Sequence, residues 1–120
     1  TMFYWGEKID SRYSWYRKNS EQRTRERSNL NTIDRMNAFG LEDMLGNVWE
    51  WCEDTWLATY RSGPATGAPR VVADRNEKVL RGGSWFNKGK ELRVCHRYAY
   101  PATTRYGNLG FRVCMSVQLK

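Results

Sequence analysis

The usual core-forming residues are scarce in this chain. Leu, Ile, Val and Phe together account for 21 of its 120 residues. Beside a formal net charge of +7, that proportion ordinarily signals disorder. Six Trp and seven Tyr reverse the expectation, because each large ring buries roughly 150–250 Å². The core should therefore be aromatic, with short strands and much irregular backbone. Apolar runs are short as well: none approaches the roughly 20 residues that cross a bilayer, and no signal-peptide pattern opens the chain. A length of 120 residues corresponds to one domain.

Metal-binding side chains are equally sparse. Cys52, Cys95 and Cys114 make an odd number, no CxxC pair occurs, and His96 is the only histidine. That argues against a structural zinc site, which normally takes four Cys/His ligands. A Cys–His hydrolase would have to pair His96 with its neighbour Cys95, a poor geometry for adjacent residues. A Cys95–Cys114 disulfide stays open, but three mostly buried thiols acting as small hydrophobes is the preferred reading.

What the chain has in excess is positive charge, unevenly placed. Leu41–Asp54 holds five acidic residues and no basic one, whereas Arg70–Lys120 holds eleven basic and three acidic. Such a balance admits an anionic partner, nucleic acid included. Arg outnumbers Lys fourteen to six, however, and Arg stacked on Trp and Tyr is ordinary structure in an aromatic-rich fold. Without a basic helix face or a nucleic-acid motif, a nucleic-acid or polyanion binder is the minor alternative.

Along the chain, a helical turn is expected near Ser14–Lys18, an exposed loop over 21–36 and a long surface connection over 58–78. KVLRGGSW reads as a strand ending in a Gly-Gly turn, ELRVCHRYAY as a second strand and LGFRVCMSV as a third. Alternation sets Leu92, Val94 and His96 against Arg93, Cys95 and Arg97, and Phe111, Val113 and Met115 against Arg112, Cys114 and Ser116.

Three blocks go beyond composition: Asn37–Trp51 (NAFGLEDMLGNVWEW), Arg81–Trp85 (RGGSW) and Asn108–Arg112 (NLGFR). With Trp5–Gly6, they resemble the formylglycine-generating enzyme, or sulfatase-modifying factor, family. The resemblance spans nearly the whole chain but only the C-terminal part of a full family domain. It implies an α+β domain over residues 1–120 with the C-type lectin fold: small antiparallel sheets, short helices and much irregular backbone. Trp49, Trp51, Trp85 and Phe111 are the expected buried aromatics. Glu50 lies between two tryptophans and should face a polar site. The resemblance implies calcium there, held by the Asp43 side chain, the Gly46 and Val48 carbonyls and the Glu50 carboxylate, hard oxygens of the kind Ca²⁺ takes. The alternative is that Asp43 and Glu50 pair with arginine or accept backbone N–H bonds.

Family members that oxidise cysteine to formylglycine hold copper(I) with two cysteines shortly after the GGS-aromatic element, soft thiolates being what copper(I) prefers. Here the matching stretch, Phe86–Glu91 (FNKGKE), contains no cysteine. The iron-dependent branches use several histidines, and this chain has one. Neither copper nor catalysis is expected; the alternative is an oxidoreductase of the sulfatase-modifying type or an inactive copy of one.

A second resemblance is to the variable proteins of diversity-generating retroelements, which reuse this fold and end in a segment close to RGGSW…R…GFR where adenine mutagenesis rewrites asparagine codons. It implies a non-catalytic ligand-binding module with residues 81–112 as the variable region. The implied ligand-binding positions are Phe86, Asn87, His96, Tyr98, Ala99, Tyr100, Thr103, Thr104, Tyr106, Gly107 and Asn108. Each of these residue types is reachable from an Asn codon, whereas Lys88, Lys90 and Glu91 are not. Arg93, Arg97, Pro101, Arg105, Gly110 and Phe111 would form the fixed frame, with Arg97 and Arg105 pointing inward. The implied partner is a protein or cell-surface ligand, met by a chain displayed on a cell or virion. Tyrosines separated by small residues make good paratopes; the competing reading is that Tyr98 and Tyr100 merely cover the core.

Overall fold

The computed structural model describes residues 1–27, 35–59, 66–115 and 117. Residues 28–34 of the expected loop, 60–65 of the expected connection, and Ser116 lie outside the described residues; the described parts of both segments are mostly exposed. Among the described residues, four strands form one sheet: β1 (Trp49–Thr55), β2 (Glu77–Arg81), β3 (Arg97–Pro101) and β4 (Leu109–Gly110), in the order β3-β2-β1-β4. β1 pairs antiparallel with β2, and β2 with β3. β4 pairs parallel with β1, Trp49 opposite Leu109, so the sheet is mixed where an antiparallel one was expected. The reason is connectivity. β3 lies at one edge, and residues 102–108 carry the chain to the other, where it returns in the direction of β1.

The strands are shorter than the sequence pattern implied. In ELRVCHRYAY only Arg97–Pro101 extends; Gly89–Leu92 is a 3-10 turn, closed by the Lys88 N–H donating to the Glu91 carboxylate (2.7 Å). It turns Leu92 into the core, where it is fully buried. Among the described residues of LGFRVCMSV, only Leu109 and Gly110 pair. Phe111, expected inside, is 75% exposed, and Val113 and Met115 are exposed beside it. β4 is an edge strand, and no described strand lies beyond it to cover them. The Ser14–Lys18 region forms turns rather than a helix, held by the Asn19 side chain accepting from Tyr16 N–H (2.8 Å). No α-helix occurs among the described residues, and none of their helices is long and apolar enough to cross a membrane.

The core is aromatic, as the composition requires. Phe3, Tyr16, Leu45 and Leu92 cluster with Tyr4 and Trp5 against them; Trp5 stacks between Phe3 and Tyr13, 5.1 Å from each. Trp49, Val79 and Leu80 are buried in the sheet, while Trp51 and Trp85 are half-buried. Each fully buried large side chain contributes about 1.5–3 kcal/mol.

Two glycines permit the close backbone approach that positions β1. Gly46 (φ +90°) donates its N–H to the Gly82 carbonyl (2.8 Å), and a Cβ there would lie 2.4 Å from the Trp15 carbonyl oxygen. Gly82 (φ +92°) would meet the Met44 carbonyl at 2.9 Å. Only glycine combines positive φ with that proximity.

Candidate ligand-binding face

Strand register places the tyrosines. Trp51 opposes Leu80, Leu80 opposes Tyr98, and Lys78 opposes Tyr100, so these side chains share one face. Trp49, 4% exposed, supports it from below, with ring centroids 5.7 Å from His96 and 5.8 Å from Tyr98. Tyr98 then meets Tyr100 edge-on (5.1 Å, 68°), and Tyr100 meets Tyr106 (5.3 Å, 71°). The result is a continuous row from a buried anchor to solvent: Tyr98 is 45% and Tyr106 58% exposed. Burial pushes the Tyr100 hydroxyl up, reinforced by Tyr98. Burial, with help from the Arg93 cation, holds the His96 imidazole below its usual range, favouring the neutral ring.

Phe86, 57% exposed, packs edge-on against Trp85 (5.9 Å) beneath the Arg17 guanidinium (5.6 Å). The Trp85 indole N–H donates to the Gly107 carbonyl (3.3 Å), linking this turn to the loop that carries Tyr106. Thr103 is exposed, and Thr104 is half-buried in the turn that Pro101 closes by accepting its N–H.

Three of the eleven expected ligand positions are turned to other uses. Ala99 opposes Val79 and therefore points to the reverse face of the sheet. The Asn87 side-chain oxygen accepts from Ser84 N–H (3.0 Å) and from the Ser84 hydroxyl (2.7 Å). Asn108 donates to that hydroxyl (3.3 Å), and its carbonyl accepts from Trp49 N–H (2.8 Å). Ser84 is fully buried, so both asparagines act as scaffold. Of the two arginines expected to point inward, Arg97 stacks on Trp56 (4.6 Å) and donates to the Leu57 carbonyl (3.0 Å). Arg105 is exposed instead, because it lies on the crossing loop outside any strand.

The Asp43–Glu50 segment meets a guanidinium. Arg112 Nε and Nη2 donate to the two Glu50 carboxylate oxygens (2.7 and 2.5 Å), and Nη2 also reaches the Glu42 and Asp43 carbonyls (3.1 and 3.2 Å). Asp43 Oδ1 is buried without a hydrogen-bond partner, and burial pushes the carboxyl up, favouring the neutral acid. Of the expected calcium set of Asp43, Gly46, Val48 and Glu50, the Glu50 carboxylate is thus engaged by Arg112, the arginine pairing that was the alternative to a metal. No group of three or more His, Cys, Asp or Glu side chains suited to a metal occurs among the described residues.

All three thiols are free; Cys52 is half-buried, but Cys95 and Cys114 are exposed rather than in the core. Both lie outside paired strands, where alternation no longer decides burial. The reverse face of the sheet carries a cleft of about 180 Å³ lined in part by Cys52, Asp54, Arg70, Arg81 and Arg97, which the sequence pattern did not reveal. Asn47 also escaped sequence reasoning. At φ +64°, its side chain exchanges hydrogen bonds with Arg25 N–H and C=O (2.9 and 3.0 Å), and its backbone bonds to Trp15 and Trp85 (2.8 Å each). The Gly-Asn dipeptide is the signal that marked it, because asparagine tolerates the left-handed conformation.

A small sheet wrapped in irregular backbone, with an exposed aromatic face beside its edge strand, defines a C-type lectin-like domain. Residues 1–117 match the sulfatase-modifying factor enzyme 1-like domain, and the chain belongs to that family. It is 36% identical over 88 residues to the formylglycine-generating enzyme of Streptomyces coelicolor, covering 71% of this chain and 28% of that protein. Among solved structures, it resembles Treponema denticola variable protein 1 (TM-score 0.64, 34% identity, 82% of this chain and 34% of the other). It also resembles PvdO from Pseudomonas aeruginosa (TM-score 0.75, 26% identity, 88% and 40%). The chain thus spans less than half the length of each of these relatives. The family and the likeness to a variable protein are those expected from the three sequence blocks.

Proposed function

We propose that this domain is a non-catalytic ligand-binding module whose face of His96, Tyr98, Tyr100 and Tyr106, flanked by Phe86, meets a protein or cell-surface ligand. The observation that carries this reading is the separation of face from scaffold. The tyrosines are exposed or half-buried, whereas the bonds tying the segments together belong to Asn47, Ser84, Asn87, Asn108 and Arg112. A surface of that kind tolerates sequence change, since exposed substitutions usually stay within about 0.5 kcal/mol. Likeness to a variable protein supports the finer reading, a diversity-generating retroelement product whose variable region lies within 81–112.

The competing class is an oxidoreductase like the formylglycine-generating enzymes. It needs a thiolate pair for copper(I), and between Gly82 and Pro101 this chain offers Cys95 alone. Incubating the copper-treated protein with a cysteine-containing peptide under air tests the two classes. No aldehyde product is expected; peptide aldehyde that disappears in Cys95→Ala would replace binding with catalysis. The retroelement reading is tested in the gene's own neighbourhood. It requires a near-copy of the Arg81–Arg112 coding region beside a reverse transcriptase gene, with adenines at the codons of the exposed positions.

A further inference from the structure

We infer that the partner of the tyrosine face is a protein presenting an acidic surface. This deepens the proposed binding role and rests on it. Between Phe86 and Asn108 the exposed charged residues are Lys88, Lys90, Arg93 and Arg105, all cations. The one acid in that stretch, Glu91, is half-buried, and its carboxylate is taken by Lys88 N–H. Arg93 is close enough to His96 to oppose protonation of its ring, and Arg105 adjoins Tyr106 in the chain. Arg17 adds a cation over Phe86. The segment that carries the aromatic row thus exposes positive charge and no anion of its own, the nearest exposed acid on a paired strand being Glu77, opposite Pro101. Such charge accelerates encounter with an acidic surface and repels a basic one, while the aromatic centre supplies the contact energy. The tyrosine hydroxyls add donors that carboxylates accept.

Ring geometry favours protein over nucleic acid. Binding of unpaired bases relies on aromatic faces open for stacking. Here Tyr98, Tyr100 and Tyr106 stand edge to face, at 68° and 71°, so each ring partly covers the next. This arrangement suits side-chain contacts of varied orientation better than successive parallel bases.

The test uses three fluorescein-labelled probes of equal length: a Glu/Gly/Ser peptide, a Lys/Gly/Ser peptide and an oligothymidylate. Their binding is read by anisotropy at low and moderate salt. The acidic peptide should bind at least tenfold tighter than either other probe and weaken as salt rises. Arg93→Glu with Arg105→Glu should reduce its affinity at least fivefold, and melting curves check that each variant is folded. Should the charge reversals perturb folding, Arg93→Gln with Arg105→Gln supplies the same comparison. Oligothymidylate binding as tight as the acidic peptide, equal affinity for both peptides, or indifference to the Arg93 and Arg105 changes would overturn the inference. If Tyr98→Ala with Tyr106→Ala abolishes binding while the charge changes do not, the face remains the binding site but its partner is not acidic. If neither set matters, the binding face falls as well.

Discussion

The Arg112 guanidinium grips both carboxylate oxygens of Glu50, a residue 62 positions earlier in the chain, and reaches two carbonyls of the loop before it. It thereby ties the segment after β4 to the start of β1, an edge where two strands share only a two-residue parallel ladder. Arg112→Met should cost about 1–2 kcal/mol in urea unfolding, its partial exposure keeping the loss below that of a fully buried pair. Glu50→Gln should cost less, because an amide oxygen still accepts from the guanidinium. Equal stability of Arg112→Met and the parent protein would show that the tether contributes nothing.

Gly46 and Gly40 separate strain from collision. Both have positive φ, but a Cβ at Gly40 meets open space, whereas at Gly46 it meets the Trp15 backbone. Gly40→Ala should cost about 1 kcal/mol, the conformational penalty alone. Gly46→Ala should cost about 3 kcal/mol or more, with strain and displacement of Trp15 added together. Comparable losses in the two variants would mean that the Trp15 segment yields.

His96 gives the fold a pH dependence of defined sign. Its folded-state pKa lies below the ordinary 6.5, so just below that pH the unfolded chain binds more protons than the folded one. Stability therefore falls as pH drops through this window. The melting temperature should be lower at pH 5.5 than at pH 7.5, and His96→Gln should reduce the difference. The raised carboxyl of Asp43 acts in the opposite sense: its contribution is full below its ordinary 3.8 and is lost as pH rises through its higher folded-state value. A difference unchanged in His96→Gln would locate the titration elsewhere.

Local chemistry was legible in the sequence where it rests on backbone needs or on periodicity. Gly82–Gly83 does end β2 in a bend, Tyr98 and Tyr100 do share a face, and Trp49 is buried. What escaped depends on neighbours distant in sequence. Phe111 alternates like a core residue, but its burial requires a strand beyond β4. Asn87 looks like an adaptable surface residue, yet Ser84 holds it within a turn. The charge on Glu50 implied a cation; that the cation is Arg112 follows from the parallel pairing of β4, which no local pattern encodes.

The measurement that bears most directly on the binding-face account is the melting temperature of Tyr98→Ala/Tyr100→Ala/Tyr106→Ala, taken beside its affinity for the acidic peptide. Tyr98 and Tyr106 are substantially exposed, and Tyr98 rests against the buried Trp49. The account predicts a cooperative transition within a few degrees of the parent protein, consistent with the small cost of exposed substitutions, together with loss of peptide binding. A triple variant that unfolds, or that folds and binds as before, would contradict it: the first outcome makes the tyrosines core, the second leaves them without a role in recognition.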